Sequence, residues 1–223
     1  MISIQVSSDS PHYLVQAKEL SSVLGYPLVT DLGSPDDYQT DPSYVLLVGE
    51  DGLSLFPSNR RLHGPIRVDF MLGSNNHRRR FGGGNGQAIA KAVGVSGRFL
   101  PRVLDLTAGL GGDGFVLASL GCRVSLVERH PLICSLLRDG INRAREEGES
   151  DPAIRDLMNR LDLIECDSLE ILSDITIDQR PDVIYLDPMF PHRKKSAKVK
   201  KEMQAFQHLS LIHILTLPTT PYV

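Results

Sequence analysis

The sequence predicts an α/β fold: a parallel, doubly wound sheet preceded by a small β-rich N-terminal domain. Three observations carry this. Short apolar runs alternate with stretches whose apolar residues recur at helical spacing. One run, in VLDLTAGLGGDG at residues 103–114, leads into a glycine-rich turn and then into FVLASLG, again apolar at helical spacing. Three acids, Glu128, Asp167 and Asp187, stand at or just past the ends of the next three runs. Ligands bind on that edge in open α/β sheets.

In chain order, residues 2–6 alternate apolar and polar and read as a strand. Residues 13–24 are expected to be helical, stopped by Gly25 and Pro27. Residues 45–48, 53–56 and 66–70 are strand-like, with Glu50, Asp51 and Gly52 turning a hairpin between the first two. Residues 1–74 thus form a small α/β N-terminal domain, without recognisable chemistry. A basic stretch follows, with His77, Arg78, Arg79 and Arg80 beside Phe81 and a run of glycines. It suits a phosphate or RNA contact, and equally a solvated linker.

Residues 87–93 read as a short helix and 94–101 as the approach to the central strand. Pro131 starts a helix running towards Ala144, with Leu132, Ile133, Leu136 and Leu137 on its apolar face. REEGESD, at 145–151, reads as a surface turn and 154–161 as a further helical piece. Residues 161–165 and 183–186 are the third and fourth strands of the sheet.

Composition sets limits. The chain has 223 residues, 41% hydrophobic and 23% charged, enough for one large domain or two small ones. Its net charge of -3 gives no global basic field, so any nucleic-acid site must be a local patch. Cys122, Cys134 and Cys166 are isolated in sequence, which argues against a metal site or a disulfide frame. No apolar run approaches the roughly 20 residues that span a bilayer, and MISIQVSSDS lacks the features of a signal peptide. A cytoplasmic location is expected, with no membrane or metal partner; the oligomeric state stays open.

Strand, glycine turn, helix builds a nucleotide cradle. Gly109, Gly111, Gly112 and Gly114 let backbone approach a ligand where a Cβ would collide. GLGGDG also fits the dinucleotide pattern, so NAD and S-adenosylmethionine both remain open, and Glu128 can hold ribose hydroxyls of either. Asp105, inside the strand ahead of the glycines, is a poor neighbour for a pyrophosphate and a good one for an ammonium. It can also be read as a buried structural acid.

The fourth strand ends in Asp187, Pro188, Met189 and Phe190. This resembles the [DNS]-P-P-[YFW] loop of methyltransferases acting on exocyclic or amide nitrogens, with Met189 in place of the usual second proline. Such an amine is a weak nucleophile because its lone pair is delocalised into the ring. The Asp187 carboxylate and the Pro188 carbonyl can accept its two N–H bonds and favour a pyramidal nitrogen, while Phe190 can stack on an extruded base. Catalysis is then positioning plus electrostatics.

DLTAGLGGDGFVLASLGCRV, VERHP, VIYLDPMFPHRKKSAKVKKEM and the earlier HRRRFGGG resemble the bacterial small-subunit rRNA methyltransferase J family over roughly residues 75–208. The resemblance implies a class I, Rossmann-like, S-adenosylmethionine-dependent methyltransferase fold. It also implies methylation of the N2 amine of a guanosine in 16S rRNA, with 16S rRNA or the small ribosomal subunit as partner. The family's cofactor contacts fall on Gly112 and Asp113, Glu128 and Arg129, Asp167 and Ser168, and Asp187. The family usually has Arg at the position of Gly112, and commonly Ser at that of Asp167. After the loop, Arg193, Lys194, Lys195, Lys198, Lys200 and Lys201 make an expected rRNA backbone clamp. The rival readings are an NAD-dependent Rossmann oxidoreductase, in which DPMFP has no role, and a non-catalytic rRNA-binding factor.

A class I sheet has seven strands, conventionally ordered 3-2-1-4-5-7-6, and four are recognisable here. From residue 209 the chain reads LSLIHILTLPTTPYV and leaves the resemblance. LSLIHI is also the translation of the end of a transposon-derived sequencing adaptor. Residues 209–223 are therefore expected to be a non-native tail on a C-terminally incomplete methyltransferase domain.

Overall fold

The computed structural model describes residues 3–30, 44–58, 64–72 and 84–188. They fall into two compact units that divide between Ile66 and Arg67. The first contains β1 (Ile4–Ser8), α1 (Leu14–Leu24), β2 (Tyr44–Gly49) and β3 (Gly52–Pro57). Its sheet runs β1-β2-β3, with β1 parallel to β2 and β2 antiparallel to β3. The expected hairpin forms, but its turn is only Glu50 and Asp51, because Gly52 already pairs with Gly49 in the ladder. Val6, Ala17, Leu46, Leu55 and Ile66 close its core.

The run at 66–70 does not form the expected strand. Ile66 makes a single antiparallel bridge to Leu55, and the second unit begins at Arg67. There Phe70 stacks on Phe115, with ring centroids 4.7 Å apart. The Val68 side chain lies against Gly140, where any Cβ would collide.

The second unit contains α2 (Ala88–Ala92), β4 (Arg102–Asp105), α3 (Gly112–Ser119), β5 (Arg123–Glu128) and α4 (Pro131–Ser150). It continues through α5 (Pro152–Met158), β6 (Leu161–Glu165), α6 (Ser168–Asp174) and β7 (Val183–Tyr185). The four strands are parallel, in the order β6-β5-β4-β7. By order of appearance this is 3-2-1-4. β4 pairs on both sides and is apolar on both faces, as a central parallel strand must be. Leu126 faces Gly111 and Gly114 at the start of α3. Leu104, Leu106 and Val127 pack instead with Ile164, Cys166 and with Ile171 of α6. Helices thus cover both faces, and the carboxyl ends of all four strands share one edge.

The helix after β5 does not stop near Ala144. It runs to Ser150, straight through the predicted turn. Gly148 is the reason: it is buried, and a Cβ there would lie 3.0 Å from the backbone of Arg155. This glycine, inside the stretch expected to turn, lets α5 pack closely on α4. Asp151 then caps α5, accepting from the backbone N–H groups of Ala153 (2.9 Å) and Ile154 (3.4 Å).

Candidate cofactor and catalytic site

The turn after β4 draws the start of α3 onto the sheet. Gly111, at φ +71°, precedes the first turn of the helix, and a Cβ there would stand 2.8 Å from Leu137 Cδ1 and 3.2 Å from Leu126 Cδ1. Gly114 sits equally tightly on the Leu126 side chain. Gly109 also has positive φ, and Gly112 and Asp113 open the helix. The result is a narrow backbone cradle above the ends of β4 and β5.

Asp105, at the end of β4, is only 2% exposed. Its Oδ1 accepts from the Thr107 backbone N–H at 3.0 Å and from the Thr107 hydroxyl at 3.3 Å. Its Oδ2 has no hydrogen-bond donor among the described residues. Burial pushes this carboxyl up to about 6, with the Asp113 and Asp187 charges adding to the rise and the Thr107 bonds opposing it. A buried carboxylate oxygen without a donor, beside a glycine cradle, fits a cationic ligand group.

The Thr107 hydroxyl reaches in the other direction as well, accepting from the Asp187 backbone N–H at 2.8 Å. Asp187 and Pro188 themselves are exposed past the end of β7. Tyr185, the last residue of β7 and opposite Asp105, donates its hydroxyl to Asp113 Oδ2 at 2.9 Å. Burial and this acid hold the phenol well above its ordinary range. Neither Thr107 nor Tyr185 stood out in the sequence. For Thr107 a signal existed: Asp-x-Thr at a strand end is the pattern of a turn in which the acid accepts from the backbone two residues on.

At the end of β5, Glu128 braces the cradle. Its Oε1 accepts from the backbone N–H groups of Arg129 and His130, both at 2.9 Å, and its Oε2 from that of Gly109 at 3.1 Å. Burial raises the carboxyl, while these three bonds and the Arg129 charge hold it down. Arg129 spans to Asp167 at the end of β6, Nη1 to Oδ2 at 3.2 Å. Asp167 caps α6 through the Leu169 N–H at 2.9 Å; that bond and then Arg129 hold its carboxyl below the usual carboxylate range. The Ser168 hydroxyl donates to the Leu106 carbonyl at 2.8 Å, tying α6 to the end of β4.

The edge therefore brings together Asp105, Gly109, Gly111, Gly112, Asp113, Glu128, Arg129, Asp167, Ser168, Asp187 and Pro188. Arg78, Arg79, Arg80, Phe190, Arg193, Lys194, Lys195 and Lys198 lie outside the described residues. A separate cavity of about 540 Å³ opens at the opposite end of the strands, lined by Arg102, Arg123, Arg160 and Asp162 among others; it includes none of the residues of this edge. Among the described residues no group of three or more His, Cys, Asp or Glu side chains could hold a metal ion. No described helix is long and apolar enough to cross a membrane.

A parallel 3-2-1-4 sheet with a buried acid ahead of its glycine turn, at a point where a pyrophosphate would meet repulsion, defines a Rossmann-like methyltransferase of class I. Comparison with known proteins then narrows the class. The family model described as "Putative SAM-dependent methyltransferase" matches residues 33–211. A curated relative from Cellvibrio japonicus, named ribosomal RNA small subunit methyltransferase J, is 52% identical over 170 residues, which is 76% of this chain and 64% of the relative. One of the same name from Pseudomonas aeruginosa strain PAO1 is 49% identical over 193 residues, covering 86% of this chain and 69% of the relative. The crystal structure of the SAM-dependent methyltransferase NGO1261 from Neisseria gonorrhoeae superposes with a TM-score of 0.62 at 31% identity, covering 92% of this chain and 73% of that one. The chain belongs to the ribosomal RNA small subunit methyltransferase J family and spans about two thirds of the length of these curated relatives.

Proposed function

We propose that this protein transfers the methyl group of S-adenosylmethionine to the exocyclic N2 amine of a guanosine in 16S rRNA, in the cytoplasm. The observation that carries the reading is the common anchorage of two functions on one residue. Thr107 holds both the buried Asp105 and the backbone of Asp187. The names of the relatives supply the RNA; the chemistry of the edge supplies the rest.

S-adenosylmethionine, when bound, contributes an electrophilic methyl on a sulfonium. Asp105 Oδ2, buried and without a donor among the described residues, would take the ammonium of its amino-acid end. Gly109, Gly111, Gly112 and Asp113 would line that end by backbone. Glu128 Oε2 accepts one hydrogen bond from Gly109 and keeps a lone-pair site for a ribose hydroxyl. Asp167, fixed by Arg129 and the start of α6, would face the adenine amine. Ser168 acts by holding α6 on the sheet, since its hydroxyl is engaged by Leu106. Asp187 and the Pro188 carbonyl would accept the two amine N–H groups of guanine, with Phe190 stacking on the base. The basic residues at 78–80 and 193–198 would contact the rRNA backbone.

The test has three arms. Calorimetry with S-adenosylhomocysteine and with NADH separates a methyltransferase from an oxidoreductase: heat with the first only is expected, and heat with NADH only refutes the reading. Mass spectrometry of 16S rRNA from cells lacking the intact gene is expected to show one unmethylated guanosine. Asp187→Ala is expected to lose methyl transfer while keeping RNA binding. Methylation undiminished in that variant would place the chemistry elsewhere.

A further inference from the structure

We propose that Thr107 is a positioning residue that couples the cofactor-side carboxylate to the catalytic loop through its single hydroxyl proton. The proposal rests on the methyltransferase reading above. A threonine hydroxyl has one proton to donate and lone pairs to accept with. Here the Asp187 N–H, 2.8 Å away, points into Oγ1, and a backbone N–H can only donate. The hydroxyl proton is left for Asp105 Oδ1, at 3.3 Å. The direction of the chain is therefore set: Asp187 N–H to Thr107 Oγ1, Thr107 Oγ1–H to Asp105. The Thr107 backbone N–H makes a second bond to the same carboxylate oxygen, at 3.0 Å, independent of the side chain.

This arrangement separates two tasks within one residue. The backbone bond orients Asp105 whatever side chain stands at 107. The hydroxyl alone fixes the backbone of Asp187, and with it the carboxylate and the neighbouring Pro188 carbonyl that would receive the amine. Loss of the hydroxyl leaves the cofactor-side carboxylate largely in place and frees the loop. Because Asp187 is exposed, its released N–H finds water, so the fold loses little. Thr107→Val keeps the β-branched shape and deletes the hydroxyl; Thr107→Ser keeps the hydroxyl and deletes only a methyl. β7 pairs with β4, and this hydroxyl, two residues past the end of β4, carries that lateral tie on to the first residues of the loop beyond β7.

The experiment compares wild type, T107V and T107S in the full chain. It measures S-adenosylhomocysteine affinity by calorimetry, methyl transfer to small subunits from cells lacking the intact gene, and exchange of the Asp187 amide by NMR. T107V is expected to bind S-adenosylhomocysteine within about threefold of wild type and to lose about 10- to 100-fold in kcat, the scale of a misplaced reacting group. T107S is expected to recover to within about threefold. Wild-type kcat in T107V, an equal loss of affinity and kcat, or a T107S as impaired as T107V overturns the coupling. If wild type itself neither binds S-adenosylhomocysteine nor methylates RNA, the functional reading fails. The tie is then judged by the Asp187 amide alone: about tenfold faster exchange in T107V supports it, and unchanged exchange refutes it.

Discussion

Replacing Asp105 by Asn is expected to make the ligand-free protein more stable at neutral pH and to weaken cofactor binding. The carboxyl ordinarily titrates at 3.8 and is pushed up to about 6 here, chiefly by burial, with Asp113 and Asp187 contributing. The folded protein therefore holds this proton over a pH range in which the unfolded chain has released it. Stability contributed by the site is lost as pH rises from about 4 to about 6, and the full penalty applies above. About two units at roughly 1.4 kcal/mol per unit gives about 3 kcal/mol. Asn keeps an oxygen for the Thr107 N–H and removes the ionisation. At pH 7 the variant is expected to gain up to about 3 kcal/mol, or roughly 6–12 °C in melting temperature for a chain of this size; at pH 4 the two proteins are expected to coincide. Urea and thermal melts from pH 4 to 7 test this, with S-adenosylhomocysteine titrations at neutral pH expected to show weakened binding. A variant less stable than wild type at pH 7, or an equal advantage at pH 4 and pH 7, refutes the reasoning. The same linkage predicts that wild type binds S-adenosylhomocysteine more tightly as pH rises through 6, because the ammonium needs the ionised acid.

Two further changes probe the rest of the edge. Glu128→Ala removes the acceptor of three backbone N–H groups and with it the proposed ribose partner; at about 1.5–3 kcal/mol for a hydrogen bond to a charged group, both the melting temperature and S-adenosylhomocysteine affinity are expected to fall, and calorimetry showing unchanged affinity in a folded variant removes the ribose assignment. Neutralising Lys194, Lys195 and Lys198 together is expected to weaken rRNA binding and flatten its salt dependence, by nearly one unit of slope per lost phosphate contact, with cofactor affinity unchanged; a wild-type slope makes these residues an ordinary solvated surface.

Much of the edge is legible because its signals are local. A run of apolar residues, a turn that needs positive φ, and a helix that needs an approach without Cβ atoms write themselves into residues 103–120. Glu128, Asp167 and Asp187 follow at strand ends that the apolar runs delimit. What escapes is set by packing at a distance. Phe70 looks like one more strand residue, and only the ring of Phe115 says which core it joins. REEGESD reads as a surface turn until Arg155 is seen packed against Gly148. Tyr185 reads as an ordinary strand residue, and its hydroxyl finds Asp113 only because β7 lies beside β4.

The acids of this edge are not equivalent, and their differences follow from what each is bonded to. Glu128 takes three backbone N–H groups and Asp167 takes a helix start and an arginine, so both are held in place before any ligand arrives. Asp113 is engaged by a phenol. Asp105 combines near-complete burial with an oxygen that no described residue satisfies, and burial pushes its carboxyl up to about 6. A fold keeps such a site only at a cost in stability, and the cost is relieved when a cation arrives. The ammonium of the amino-acid end is thus expected to be the part of the cofactor that the protein recognises by charge, and the glycine cradle and Glu128 the parts that recognise it by shape and hydrogen bonding. Because Thr107 touches both Asp105 and Asp187, the charge that would bind the cofactor and the backbone that would orient the base meet at one hydroxyl.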